Sequence, residues 1–321
     1  MAFVVSGLAD YTKEVKTDLL VKSMFSGKTA SLLQGAGQVI PGIKSAEILP
    51  ILSSDVYFQA DACGYSPSGT TTITKRTITV GKVKVEETLC PKTLETKYTQ
   101  IGLAAGAPVD MGVFQEQIGN EKASVIAEAL ETAIWQGDTT GGSGNNAFFD
   151  GFLTILGDLG FGGAGDPIEG NPSTGGGYTQ LTSLTSSNID DAIAKIYSLL
   201  PAAILDKSDL FIAMGTDTFR TYKSWLLTAN LFHYAATETA PLEIVDPLTG
   251  IKIYGLNGMN GTNKIVAGRW SNFFLGTDMM DEQENFQMWF SVDNAEVRFR
   301  ANFAYGCQLS FPSEIVLFKL P

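Results

Sequence analysis

The sequence predicts an α+β chain in which helices and strands alternate rather than separate into halves. Three observations predict it. A Thr-, Ile- and Val-rich run from Thr70 to Thr88 reads as β, and the stretch from Asp110 to Gln136 carries a helical period. Short helix and strand patterns then alternate from Asn188 into a strand-rich tail.

Residues 1–52 read as an arm. Their apolar residues are scattered among Ser, Gly, Lys and Thr, with one short helical pattern at Thr17–Phe25 and a breaker segment at Gly35–Gly42. An arm studded with apolar residues is expected to order against a neighbour. Val56–Tyr65 reads as a strand, Ser66-Pro-Ser-Gly69 as a turn and Thr70–Thr88 as the returning strand. Apolar parity switches across Gly81, from Ile78 and Val80 to Val83 and Val85, as at a bulge or bend. Lys75, Arg76, Lys82, Lys84 and Glu86 take the outward positions. A two-stranded ribbon has little core of its own, so it needs something to lie on.

Asp110–Gln136 is the longest helix pattern, with Asp110 as N-cap. Phe114, Ile118, Val125, Ala129 and Ala133 share one face, which Ile126, Leu130 and Ile134 widen; Glu116, Glu121, Lys122, Glu128 and Glu131 are expected elsewhere. Residues 137–177 are Gly-rich and loop-like, interrupted by the apolar run Phe148–Leu156. Asn188 is a good N-cap for a helix over Ile189–Leu200, which Pro201 ends. A buried strand at Asp209–Met214, a helix at Thr216–Leu227 and short strands at Gly250–Tyr254, Lys264–Ala267 and Phe273–Gly276 follow. The tail offers strands at Met288–Val292, Glu296–Arg300, Gln308–Phe311 and Ile315–Phe318.

Composition narrows the function. The chain has 321 residues, 44% of them hydrophobic and only 17% charged, against a usual charged share of about 25%. Such a chain buries much surface, in its own core and against neighbours. The net charge of −12 excludes a basic nucleic-acid binder. No apolar run approaches the ~20 residues that span a bilayer, and no secretory signal opens the sequence. The single histidine, His233, excludes a multi-histidine metal site; Cys63, Cys90 and Cys307 show no metal-binding spacing.

The motifs that suggest catalysis fail on context. Gly27-Lys28-Thr29 lacks the upstream Gly and strand of a phosphate loop and reads as a polar kink after a helix. Gly160–Gly165 lacks the strand and helix of a dinucleotide loop. His233 has no nucleophile elbow, and Asp278–Glu284 lacks the ligand pattern of a calcium loop. No enzyme activity, metal or cofactor is expected.

The order of arm, ribbon, long helix and α/β lobe resembles the major capsid proteins of tailed bacteriophages, which have the Hong Kong 97-type fold. Trp135-Gln-Gly-Asp138 followed by Phe149-Asp-Gly-Phe-Leu153 is similar to the family's pattern after its long helix, and Leu89–Glu95 to the end of its extended loop. Asn285-Phe286, Val297–Asn302 and Phe311–Leu317 resemble its long strand and closing strand. The resemblance implies an N-arm at 1–52 and an E-loop hairpin at 53–95. It implies a peripheral domain at 96–184 and 278–306, with a spine helix at 110–136, and an axial α/β domain at 185–277 and 307–321.

It further implies a structural virion protein, assembled in the bacterial cytoplasm into pentamers and hexamers of an icosahedral or prolate shell around double-stranded DNA. The expected partners are other copies of the chain, a separate scaffolding protein, a portal and decoration proteins, with no membrane. Lys75, Arg76, Lys82, Lys84, Asn294, Arg298 and Arg300 are the candidate inter-subunit contacts. In a family that crosslinks lysine to asparagine, Lys75, Lys82 or Lys84 would pair with Asn294 or Asn302. An encapsulin-like nanocompartment shell is the alternative reading.

Overall fold

A computed structural model describes residues 27–61, 63–64, 67–90, 111–163, 165–173, 178–229, 242–246, 249–278, 286–291, 293–294 and 296–321; for 89, 111–121, 123, 286–288 and 290 it describes the backbone alone. The helical pattern at Thr17–Phe25, the cap at Asp110, His233 and most of the acidic run 278–284 lie outside these residues.

The described chain opens with helix α1 (Lys28–Gly35), strand β1 (Val39–Pro41) and strand β2 (Ala46–Asp55). Strands β3 (Thr70–Thr79) and β4 (Gly81–Leu89) follow, then helices α2 (Met111–Gln136) and α3 (Phe152–Leu159). Strand β5 (Ile168–Glu169), helix α4 (Ile189–Leu199), strand β6 (Leu210–Gly215) and helix α5 (Thr216–Thr228) come next. The remainder is strand: β7 (Glu243–Val245), β8 (Lys252–Leu256), β9 (Ile265–Arg269), β10 (Phe273–Thr277), β11 (Phe286–Ser291), β12 (Glu296–Leu309) and β13 (Val316–Phe318).

Two sheets and a ribbon organise these elements. A mixed sheet runs β5-β13-β9-β6-β8-β7, and α4 and α5 cover it. A second runs β1-β10-β12-β11, with β4 also paired to β12. The ribbon is β2 against β3, in register from Ala46 opposite Thr79 to Asp55 opposite Thr70.

The main core lies between α2, α3, the inner face of the second sheet and one face of the six-stranded sheet. Trp135 of α2 meets Phe152 edge-on at 5.5 Å, Phe152 meets Phe273 at 5.0 Å, and Phe211 stacks on Trp270 at 3.7 Å. The two quoted phrases after the long helix meet here: the Gly151 amide donates to the Gly137 carbonyl at 2.8 Å.

Several elements differ from the sequence reading. Val56–Phe58 is exposed and unpaired; the ribbon's first strand is Ala46–Asp55 instead. Pro50 hides that strand from a propensity reading, yet an unstacked ribbon is all edge and tolerates a residue without an N–H. The tail's two strands at 296–300 and 308–311 are one 14-residue strand, β12. Asn188 makes no side-chain cap to α4. Its carboxamide closes the preceding turn, accepting from the Thr185 amide at 2.7 Å and donating to the Ser183 carbonyl at 2.9 Å. On α2, Val125 faces out, whereas Glu131, expected on the polar side, is buried beside Leu130 and Ile134. Gly27-Lys28-Thr29 begins α1, with Gly27 at its N-cap position; the helix expected before it lies outside the described residues.

Candidate assembly surfaces

The ribbon leaves the body at a crossing built from glycines. Strand pairing changes at Val80: β3 pairs with β2 in the ribbon, and β4 pairs with β12 in the sheet. Near it the ribbon's root passes over the outer face of the sheet at Gly276 and Gly306. A Cβ on Gly306 would collide with the Thr79 carbonyl, and one on Gly276 would sit 2.7 Å from an Ile43 methyl. On the opposite side, a Cβ on Gly81 would drive into the Phe148 carbonyl. Ile43, Ile78, Val80 and Ala304 form a small separate core under this crossing. The parity switch at Gly81 therefore marks the bend that aims the ribbon.

Beyond the crossing the ribbon has two unlike faces. Successive side chains alternate, so Glu47, Leu49 and Ile51 share a face with Ile78 and Arg76. Ile51 and Ile78 are buried, and Leu49 packs on the small core. Burial holds the Arg76 guanidinium below its ordinary range. The other face carries Ile48, Pro50 and Leu52 opposite Thr77, Lys75 and Ile73. There Ile48 is 55%, Leu52 63% and Ile73 75% exposed, and Phe58 at the tip is fully exposed. Apart from Thr77 and Lys75 this stretch of the face is apolar, and an exposed apolar patch marks a contact site.

The outer face of the second sheet is charged. Lys82, Lys84 and Glu86 of β4 lie on the same side as Arg298 and Arg300 of β12. Lys84 meets Glu86 at 2.8 Å, and Arg300 meets Glu86 from across the strand at 3.5 Å. The hydrogen bond from Lys84 holds the Glu86 carboxyl below its ordinary range. Arg298 donates to Glu296 at 2.9 Å, and Asn294 reaches the same oxygen at 3.3 Å. The inner face of this strand pair is apolar, with Phe299, Ala301 and Phe303 buried.

No protein-family model matches the chain, and no curated protein matches it by sequence. Solved structures do. A satellite phage P4 procapsid that includes the size-determination (Sid) protein aligns over 95% of this chain and 90% of its own, with a TM-score of 0.57 at 10% identity. The capsid of an empty GTA particle aligns over 91% of this chain and 90% of its own, with a TM-score of 0.55 at 15% identity. A virus-like particle from Pyrococcus furiosus aligns over 96% and 98%, with a TM-score of 0.51 at 10% identity. The chain has the Hong Kong 97-type capsid fold.

That fold brings four of the seven candidate residues together, Lys82, Lys84, Arg298 and Arg300, on the sheet's outer face. Asn294 sits at the turn between β11 and β12, near Arg298 through their shared acceptor Glu296. Lys75 and Arg76 are apart from these, on opposite faces of the ribbon. Asn302 faces Lys84 across the strand pair within the same chain. Sequence reasoning missed the apolar face. Its signal was the period-two spacing of Ile48, Pro50 and Leu52, which the arm reading passed over.

Among the described residues, no three His, Cys, Asp or Glu side chains converge as a metal site, and no helix is long and apolar enough to cross a membrane.

Proposed function

We propose that this chain is the major capsid subunit of a tailed bacteriophage and has no enzymatic role. One observation carries the reading: a ribbon on this fold that turns Ile48, Leu52 and Ile73 to solvent. Water exposure of that face is unfavourable by about 25 cal/mol per Å², so a partner surface is the stable place for it. The same face repeats on every copy, and contacts from one patch to a different patch close into rings. Rings of five and six subunits then build an icosahedral or prolate shell, in which many weak contacts act together.

In this reading residues 1–52 are the N-arm and 53–95 the E-loop, with the end of the arm, Ala46–Leu52, forming part of the ribbon's first strand. Residues 96–184 and 278–306 form the peripheral domain around the spine helix, and 185–277 with 307–321 the axial domain. Lys75, Arg76, Lys82, Lys84, Asn294, Arg298 and Arg300 contact neighbouring subunits. A separate scaffolding protein, a portal and decoration proteins join the shell, which assembles in the bacterial cytoplasm and becomes part of the virion. The net charge of −12 keeps free subunits soluble and lets enclosed double-stranded DNA slide rather than adhere.

Negative-stain electron microscopy with sedimentation velocity on the purified chain tests this. Closed shells, or rings of five and six, support it. A compact monomer whose ribbon and arm resist protease on their own ends it. The likeness to the Pyrococcus furiosus particle over 98% of that chain favours a second reading, an encapsulin-like compartment shell. Shells produced in a phage-infected host that contain protein cargo and no DNA would select it.

A further inference from the structure

The shell reading gives Gly27-Lys28-Thr29 nothing to do, yet these residues are tightly engaged. The Thr29 amide donates to Glu131 Oε2 at 3.0 Å and its hydroxyl to Glu131 Oε1 at 2.6 Å. The Trp135 indole N–H donates back to the Thr29 hydroxyl at 2.7 Å. Lys28 Nζ donates to the Leu242 carbonyl at 2.8 Å and lies 5.4 Å from the Tyr254 ring centroid. One dipeptide thus ties α1 to α2 and to the β7–β8 end of the six-stranded sheet.

The rest of the segment packs on both cores: Ile43 is buried under the crossing, and Leu32, Val39 and Ile40 are half-buried. Ala30 and Leu33 are the buried apolar side chains of α1, and β1 adds three residues to the edge of β10. There the Leu275 amide donates to the Gln38 carbonyl at 3.0 Å, and the Ile43 amide to the Thr277 carbonyl at 3.1 Å. Burial pushes the Glu131 carboxyl up and the Lys28 ammonium down, so both give up water to dock. Desolvation of charged groups offsets much of what their pairing contributes.

We propose that Lys28, Thr29 and Glu131 form a clasp that holds residues 27–41 as a strap along the edge of β10, and that the strap opens apart from the rest of the fold when the clasp is lost. With the clasp open, the Leu275 amide loses its Gln38 acceptor on that side. The inference is independent of the shell reading, because it concerns one chain.

Hydrogen exchange on the full-length chain tests it. Thr29→Val removes the hydroxyl at nearly constant shape. Glu131→Leu removes both acceptors of the Thr29 donors at similar size. Losing a hydrogen bond to a charged group corresponds to about tenfold or more in an equilibrium. Amides of residues 28–40 and those of Leu275 and Thr277 are expected to exchange at least about tenfold faster in both variants. Those of 210–215 are expected to keep their rates, and Thr29→Ser to restore the parent behaviour. Unchanged strap amides overturn the proposal. So does a joint loss at 210–215, which makes the cluster an ordinary brace of the fold, or a Thr29→Ser chain that exchanges like Thr29→Val. If Glu131→Leu does not fold, the Val and Ser pair decides.

Discussion

β6 and β3 are strands of one chain, six and ten residues long, and they meet their surroundings in opposite ways. β6 is buried at every position, lies between β8 and β9, and has helices over it. β3 has one partner strand, and most of its side chains face water. Both carry aliphatic side chains, so composition alone does not separate them. What separates them is cover: the lobe supplies its own, and the ribbon has to find it on another molecule. Stability of the chain and assembly of the chain should therefore respond to different substitutions.

The largest effect on stability is expected in the lobe. Phe211→Ala removes a fully buried ring stacked on Trp270 and edge-on to Phe273. A loss of about 3–5 kcal/mol is expected from chemical denaturation. A loss below about 1 kcal/mol would mean this lobe is not the rigid half of the comparison.

At the boundary between the two regions, Gly81→Ala puts a methyl into the Phe148 carbonyl, and Gly306→Ala puts one into that of Thr79. Each overpacks the crossing and is expected to cost about 1–3 kcal/mol. Because these glycines aim the ribbon, assembly should fail even at temperatures where the variant chain is folded. Normal shells from either variant would show that the crossing has slack.

On the ribbon itself the pattern reverses. Leu52→Glu or Ile73→Glu changes an exposed position, so monomer stability should stay within about 0.5 kcal/mol. Sedimentation should nevertheless show assembly lost, since a charge would enter a dry contact. Lys82→Ala on the sheet's outer face is a milder probe, worth about 1 kcal/mol or less for an exposed charge.

This division was only half legible in the sequence. The long helix showed because its C-terminal half buries Leu130, Ala133 and Ile134 at helical spacing. β6 showed because a short run of apolar residues between turn signals has few other solutions. The ribbon's second strand was visible and its first was not. Tyr57 and Phe58 have strand-like side chains but no partner strand, whereas Pro50 interrupts a stretch that does pair. Propensity scores side chains, but pairing is decided by the chain's path through the Gly81 crossing. The clasp was invisible for a similar reason. Thr29 and Glu131 are 102 positions apart, and neither residue type implies burial.

The smallest expected effect is the pH response of the strap, and it sharpens the contrast between a docked element and a packed one. The charged groups facing one another there are Lys28, Glu131 and Glu243, with Tyr254, whose phenol burial pushes up to about 12. Burial raises the Glu131 carboxyl, so the neutral form is favoured when the strap is docked. Its contribution is fully present below the ordinary glutamate value near ~4.3 and is lost as pH rises through the raised value. Burial lowers Lys28, so its contribution is present above the ordinary lysine value near ~10.4 and is lost as pH falls through the lowered value. The strap is thus held least firmly between the two windows. Protection factors for residues 28–40, corrected for intrinsic exchange, should pass through a shallow minimum there, while those of 210–215 follow global stability. In Glu131→Gln the rise on the acid side should vanish and the rise on the alkaline side should remain. A strap whose protection simply tracks that of β6 at every pH would show that it is part of the same packed unit, and the comparison between cover supplied from within and cover held by a clasp would fail at this point.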